Sequence, residues 1–318
     1  MSSTLDDIVK SVQDAIEALP PWARYTAAVC TAAVTFKIAY ARFSKRPSPY
    51  KQDWKKDTVY LYQIFRSPCV VSASPFSVKL ETWLRCYDVN YENVDAPMSV
   101  RSNVGMIPFI ELNGVEHPDS GFAIRDLIEI LKKGDEKELT GEQRATARAI
   151  ECLVEESLFW SYAHVRYVEK TSEFLQLIMP DNMRSSLTSL MMTLYKPFIP
   201  GQMKAKLIAR GIGRYPRDEI VRKGLDDLRA LSAYLGKKPF FMGDRPTRAD
   251  CAVFGVLSNI HFIPLRTPHG DLLATGAECE NLGAWCERMK QRLWPDWEDA
   301  CRNNSKHTHW RSAVKSAK

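Results

Sequence analysis

The stretch Met106–Val115, MIPFIELNGV, constrains the fold more than any other part of the chain. Asn113-Gly114 tolerates the successive positive-φ positions of a tight primed turn, and apolar residues flank it, so the stretch predicts a strand–turn–strand hairpin. Pro108 opens the first of these strands, where it brings no N–H to a ladder. A cis Ile107–Pro108 bond would turn the Ile107 backbone outward and offer its N–H and C=O to a peptide-like ligand; an ordinary turn proline is the plainer alternative. Upstream, Thr58–Phe65 (TVYLYQIF) is β-branched and aromatic and predicts a buried strand. Ser74-Pro75 offers an N-cap with proline at the first helical position, and Phe76, Val78, Leu80, Trp83 and Leu84 follow at helical spacing. Tyr91–Val94 predicts a short strand, and Asp119-Ser120 caps a helix running through Leu131. A β-α-β unit followed by β-β-α therefore fills one α/β layer.

After about residue 142 strand alternation gives way to long helical periodicity, which predicts an all-α second domain. The boundaries read as 58–135 for the α/β domain and 142–300 for the helical one, with a polar basic tail over 301–318; a chain of 318 residues suits two domains. Thr247 and Asp250 form a capping box ahead of the apolar run Cys251–Ile260, a structural device that fixes where a buried helix starts. Gly211-x-Gly213-Arg214 has no strand before it and no third glycine, so it predicts a helix break rather than a phosphate loop. Trp83, Trp160 and Trp285 fall on apolar helical faces and are expected in the core.

A hydrophobic fraction of 45% with 26% charged residues excludes a disordered or fibrous chain. The net charge of +6 is spread without a Lys/Arg block, which argues against a nucleic-acid partner. Eight cysteines stand singly, with no zinc spacing and no disulfide framework, and the six histidines form no HExxH pattern, so no metal is expected. Reduced thiols facing the cytosol are the simplest reading.

Residues 1–21 predict an acidic amphipathic helix stopped by Pro20-Pro21. Residues 22–43 are apolar enough for a marginal membrane anchor, with Lys37 near its end; an amphipathic helix lying on a surface is the competing reading, and a cleaved signal peptide fits badly. If 22–43 spans, the acidic flank before it and the basic flank after it place the rest of the chain on the cytoplasmic face of a membrane. Residues 44–57 are basic, polar and proline-bearing and read as a linker.

The β-α-β, β-β-α order resembles the thioredoxin-like domain of the glutathione transferases, and the capping box before Cys251 resembles the core helix of their all-α C-terminal domain. Tyr60–Phe65 (YLYQIF), Ser74–Arg85 (SPFSVKLETWLR), Tyr91–Val94 (YENV), Gly211–Arg214 (GIGR) and Phe240–Asp244 (FFMGD) are similar to the failed axon connections family and its cadmium-responsive relatives, a metaxin-like branch. This resemblance, covering roughly residues 58–295, implies the transferase fold, an N-terminal membrane segment, and roles in neuronal development or metal stress.

It also implies glutathione as ligand or substrate. Ile107 and Pro108 would grip the cysteinyl backbone, and Asp119 and Ser120, at a helix N-terminus, would hold the γ-glutamyl carboxylate beside unpaired N–H groups. Ser74-Pro75-Phe76-Ser77 stands where thiol-dependent members carry Cys-Pro-Phe-Cys, which excludes disulfide exchange. Ser74 is the candidate catalytic hydroxyl, able to stabilise a glutathione thiolate, although a conventional N-cap with proline at N1 is the stronger reading of the residue. Two functions stay open: a glutathione transferase acting on electrophiles, or a transferase-fold interaction module with an inactive cleft, displayed to protein partners on a membrane surface.

Overall fold

The computed structural model describes residues 47–94, 100–134, 137–180 and 196–302, together with 20–23, 25–26, 31 and 35. Residues 1–19 of the expected acidic helix, most of the anchor candidate 22–43, and residues 303–318 of the tail lie outside the described residues. Among those described, no helix is long and apolar enough to cross a membrane. The chain divides into two units between Tyr50 and Lys51, and the second holds the sheet and its helices.

The sheet has four strands, β1 (Val59–Tyr62), β2 (Tyr91–Asn93), β3 (Phe109–Leu112) and β4 (Val115–Pro118), in the order β2-β1-β3-β4. β1 runs parallel to β2, with Val59 opposite Tyr91, and antiparallel to β3, with Tyr62 opposite Phe109. The hairpin forms as its sequence predicts: Leu112 pairs Val115 across Asn113 and Gly114, whose φ values are 51° and 80°. Helix α1 (Pro75–Cys86) crosses from β1 to β2, and α2 (Ser120–Leu131) follows β4.

β1 is buried on both faces. On one face Val59 and Leu61 join Leu80, Trp83 and Leu84 of α1 and Ala123, Ile124 and Leu127 of α2 in a compact apolar cluster. On the other, Tyr62 stacks on Phe109 at 4.3 Å and its hydroxyl donates to Glu111 at 2.6 Å. The stretch expected to be a linker covers part of this face. The Lys51 N–H donates to Glu111 at 3.0 Å, the Lys55 N–H to the Tyr60 hydroxyl at 2.9 Å, and Trp54 lies so close to Gly114 that a Cβ there would sit 3.1 Å from the indole nitrogen. Its polar composition hid this role, because the contacts run through main-chain donors and one tryptophan.

The helical half comprises α3 (Gly141–Leu153), α4 (Phe159–His164), α5 (Thr171–Ile178), α6 (Phe198–Ala209), α7 (Arg217–Leu235), α8 (Arg248–His261), α9 (Pro268–Leu273), α10 (Glu280–Leu293) and α11 (Trp297–Arg302). Two π-helical turns, Val154–Leu158 and Val165–Glu169, make α3 and α4 one long, locally widened rod. The capping box forms as expected: Asp250 accepts from the Thr247 N–H at 2.9 Å and also from the Phe241 N–H at 2.9 Å. Burial pushes the Asp250 carboxyl up to about 6, against the pull of these donors. Gly211, at φ 85°, ends α6 before the short 3-10 turn Ile212–Arg214, so the glycine pair marks a helix break.

α8 is buried along nearly its whole length and packs on α1. Gly255 permits this approach, since a Cβ there would fall 2.5 Å from the Pro75 carbonyl oxygen. A buried ionic cluster ties the two halves further. Arg85 of α1 forms a bidentate pair with Asp296 and lies 3.7 Å from the Trp294 ring, while Trp294 donates to Thr82 at 3.0 Å. Beside it, burial alone would raise the Glu81 carboxyl, but the Arg66 and Arg85 guanidiniums and the Gln63 amide hold it down at about 2.

Candidate functional site

Where the α/β layer meets the helical half, a cleft of about 880 Å³ opens, and Ser74, Ile107, Asp119 and Ser120 all line it. Pro108 follows Ile107 through a cis peptide bond and is itself buried, directly before β3. Residues separated by up to 46 positions in sequence thus converge because the end of β1, the start of α1 and the start of β3 lie at one end of the sheet, where Tyr62 pairs with Phe109.

Ser74 is the N-cap of α1, with extended backbone and a half-exposed side chain. Its Oγ accepts from the Ser77 N–H at 3.3 Å. That bond uses an oxygen lone pair and leaves the hydroxyl proton free to donate into the cleft, so capping and ligand binding are compatible. Ser77 is different: its side chain is fully buried with no hydrogen-bond partner among the described residues. It faces the core, not the cleft. Cys69 donates to the Leu177 carbonyl at 3.6 Å, and burial pushes its thiol pKa up, the opposite of activation.

At the other end of the cleft, Asp119 caps α2 with φ 64° and ψ 147°, a conformation sparsely populated by any residue but glycine. One carboxylate oxygen, Oδ1, accepts from the Gly121 N–H at 2.7 Å and the Phe122 N–H at 3.3 Å. The helix N-terminus is therefore already partly neutralised by its own cap, which differs from the expectation that these N–H groups await an incoming anion. The positive charge comes instead from Lys79. Its side chain is buried on α1, it lines the cleft, and its ammonium lies 3.8 Å from where a Cβ on Gly121 would be. Glu155, on the first π-helical turn, pairs with Lys79 from the opposite wall. Asp119, Ser120, Lys79 and Glu155 together present both signs of charge at one end of the cleft, which suits a zwitterionic α-amino acid group. No spacing rule predicts the Lys79–Glu155 pair, because its members lie 76 residues apart on different elements.

The loop that carries Ser74 is braced from behind. Arg166, fully buried, donates to the Ala73 carbonyl and, at 2.9 Å, to Asn259 Oδ1; the Asn259 amide in turn donates to the Ser72 carbonyl at 3.3 Å. Arg166 also lies 3.9 Å from the Phe174 ring. The far wall of the cleft is aromatic and basic, with Phe159, Trp160 and Tyr167 opposite Lys206 and Arg210. Trp83 and Trp285 are core residues as expected, but Trp160 is only partly buried and turns one side to the cleft. Among the described residues, no three His, Cys, Asp or Glu side chains gather to hold a metal ion.

Comparison with known proteins fits this architecture. Residues 75–172 match the model of the glutathione S-transferase N-terminal domain, and residues 224–289 that of the glutathione S-transferase C-terminal domain. The chain is 36% identical over 268 residues to Failed axon connections of Drosophila melanogaster, covering 82% of this chain and 64% of that protein's length. It is 27% identical over 229 residues to the Metaxin-1 homolog of Caenorhabditis briggsae, covering 69% of each. Among solved structures, the beta-etherase LigF of Sphingobium superposes with a TM-score of 0.51 at 18% identity, over 77% of this chain and 98% of that one. At that identity the likeness concerns the fold alone.

Proposed function

Since the chain is a metaxin-like, glutathione-transferase-like protein, we propose that its cleft binds glutathione and conjugates the thiol to an electrophile. The α-amino acid end of glutathione sits between Asp119 and Ser120 on one side and Lys79 and Glu155 on the other. The cysteinyl backbone lies along Ile107 and Pro108, and the sulfur reaches the Ser74 hydroxyl at the start of α1. The observation that carries this reading is the convergence of those residues on one cleft, with the Ser74 hydroxyl proton still available after its oxygen has capped the helix.

The chemistry then rests on few parts. A thiolate at Ser74 gains a hydrogen bond and lies at the positive end of the α1 dipole, which lowers the thiol pKa and raises the nucleophilic fraction near neutral pH. In the conjugation itself the sulfur lone pair forms the new bond to the electrophilic carbon, and the displaced group leaves with the bonding electrons. Holding both reactants in one cleft supplies the remaining acceleration. Equilibrium titration of the full chain with glutathione tests the reading: saturable binding weakened by Asp119→Ala and by Ser120→Ala is expected, and no binding at millimolar glutathione overturns it.

A second reading, an interaction module with an inactive cleft, is favoured by one observation. Val104, Met106 and Phe122 are more than half exposed at the rim of the α/β layer. Attachment of the chain to the cytoplasmic face of a membrane through residues 22–43 is compatible with either reading. Retention of the full chain on membranes through alkaline carbonate extraction is its expected outcome, and release into the supernatant would refute a spanning anchor.

A further inference from the structure

α6 is apolar around most of its circumference and yet stands largely in solvent. Phe198, Ile199, Met203, Leu207 and Ile208 are large apolar residues of this helix, but only Leu207 is buried. At 3.6 residues per turn, Phe198, Gln202, Ala205 and Ala209 fall on the side away from Leu207, with Lys206 at one margin and Ile208 at the other. Phe198 is 63% exposed and Ile208 41%. This outward face is uncharged, and nothing in the fold covers it among the described residues.

Its surroundings are one-sidedly basic. Residues 196–217 hold six Lys or Arg and no Asp or Glu, although the chain carries 38 acidic residues in 318. Arg210 pairs with Glu156 and Arg217 with Glu169, but Lys196, Lys204, Lys206 and Arg214 make no ion pair among the described residues. Where the chain turns at Gly211, a cavity of about 600 Å³ opens between the 3-10 turn Ile212–Arg214 and the start of α7. Arg210, Arg214 and Lys223 line it against one carboxylate, Glu219, which Arg222 already pairs at 3.0 Å. Tyr215, 65% exposed, lines it too. An uncharged helix face thus runs into a cationic cavity.

We infer that the outward face of α6 and the cavity at its end dock on an anionic lipid bilayer. Phe198, Ile208 and Tyr215 enter the boundary between headgroups and hydrocarbon, and Arg214 and Lys223 hold a lipid phosphate in the cavity. The charge pattern selects this occupant. A protein interface depletes lysine, whereas Lys204 and Lys206 beside an uncharged strip can lay their stems on the apolar surface and keep their ammonium groups among anionic headgroups. The docking face is separate from residues 22–43 and from the glutathione end of the cleft, so it stands without either of those readings.

Flotation of the full chain with phosphatidylcholine vesicles, with and without phosphatidylserine, makes the test. Phosphatidylserine should raise the bound fraction, and added salt should lower it again. Lys204→Gln and Arg214→Gln each remove one exposed cation, so the fold should persist, as circular dichroism checks. Each should weaken binding to the phosphatidylserine vesicles about fivefold and leave binding to phosphatidylcholine alone unchanged. Phe198→Ser should weaken it as well. Lys237→Gln, which removes an exposed cation just after α7, is the control and should change nothing. Equal binding to the two kinds of vesicle overturns the inference, as does a phosphatidylserine preference that the Lys204 and Arg214 variants leave intact, which would place it in the basic residues 44–57. A loss that Lys237→Gln matches also overturns it, since the attraction would then belong to net charge. So does displacement of the protein by soluble glycerophosphoserine at the same headgroup concentration, which would make the cavity a site for a free anion. Glutathione is titrated separately, so the failure of either reading leaves the other standing.

Discussion

Arg166, on the second π-helical turn, donates to the main-chain oxygen of Ala73, the residue immediately before Ser74. The start of α1 is thus held by a buried guanidinium that no carboxylate neutralises among the described residues. Its charge is spread over Asn259 Oδ1, the Ala73 carbonyl and the faces of Phe174 and Tyr167. The helical half thereby fixes the position of a hydroxyl that belongs to the α/β half.

Arg166→Met should destabilise the protein by roughly 3–5 kcal/mol, since it strands two buried acceptors and leaves a gap beside Phe174. Arg166→Lys keeps a charge and one donor and should recover about half of that loss. Urea unfolding of the two variants provides the comparison; equal stability of both with the unsubstituted chain would show that the brace contributes nothing.

The Arg85–Asp296 pair joins α1 to the segment before α11. Asp296→Ala leaves the Arg85 guanidinium buried with Glu81 as its remaining carboxylate, 3.8 Å away, and should cost about 3–5 kcal/mol in urea unfolding. Glu81 itself sets an acid limit. Its folded pKa lies near 2, below the ordinary glutamate value of 4.5, so its contribution is complete above pH 4.5 and is lost as pH falls from there toward 2. Glu81→Gln should therefore flatten the stability profile in that window; an unchanged slope would contradict the role of the cluster.

His269 acts at higher pH. Its Nε2 lies 2.9 Å from Ser161 Oγ, whose hydroxyl is taken up by the Ile220 carbonyl at 2.7 Å, so Nε2 carries the proton and Nδ1 is left without a partner among the described residues. Burial, with Arg217 adding to it, lowers the His269 pKa from 6.5 to about 4. The unfolded chain takes up a proton that the folded one refuses, so this residue removes stability as pH falls from 6.5 toward 4. Asp250, raised by burial to about 6, works in the opposite sense: the folded chain binds the extra proton, and acidification from pH 6 toward 3.8 adds stability. The two offset one another in the unsubstituted chain. His269→Asn removes one side of this balance, and its stability relative to the unsubstituted chain should improve by on the order of 1–2 kcal/mol between pH 7 and 5. Thermal unfolding at the two pH values reads the difference, and a constant offset would refute it.

Local signals made half of the site legible. The Ser-Pro opening of α1, the Asn-Gly hairpin and the Asp119 cap each act within four residues, and each forms where the sequence places it. Partners brought in from the helical half had no such signal. Arg166 and Asn259 stand on separate helices, and a lone arginine in an amphipathic stretch looks like a solvated residue until the fold buries it. Lys79 likewise sits in a helix where spacing marks only the apolar residues, yet most of α1 is buried, its charged residues included. Trp160 shows the converse: apolar spacing marks the inner face of a helix but does not distinguish a core from the wall of a cleft.

Ser74 decides between catalysis and binding alone. Its oxygen accepts from the Ser77 N–H, so Ser74→Ala removes a cap worth about 1 kcal/mol of stability whatever else it does. If the hydroxyl also donates to a bound thiolate, the same substitution removes a hydrogen bond to a charged sulfur, an effect on the order of 1.5–3 kcal/mol. The pKa of bound glutathione, followed by thiolate absorbance, should then rise, and conjugation of a model electrophile should fall by roughly 10- to 100-fold. Glutathione affinity should change much less, because Asp119, Ser120 and Ile107 remain. Ser74→Thr, which keeps both hydroxyl and cap, should restore much of the rate. A bound thiol that titrates as it does in free solution, with a rate that Ser74→Ala leaves unchanged at matched folded fraction, would reduce Ser74 to a helix cap and leave the interaction module as the function of this fold.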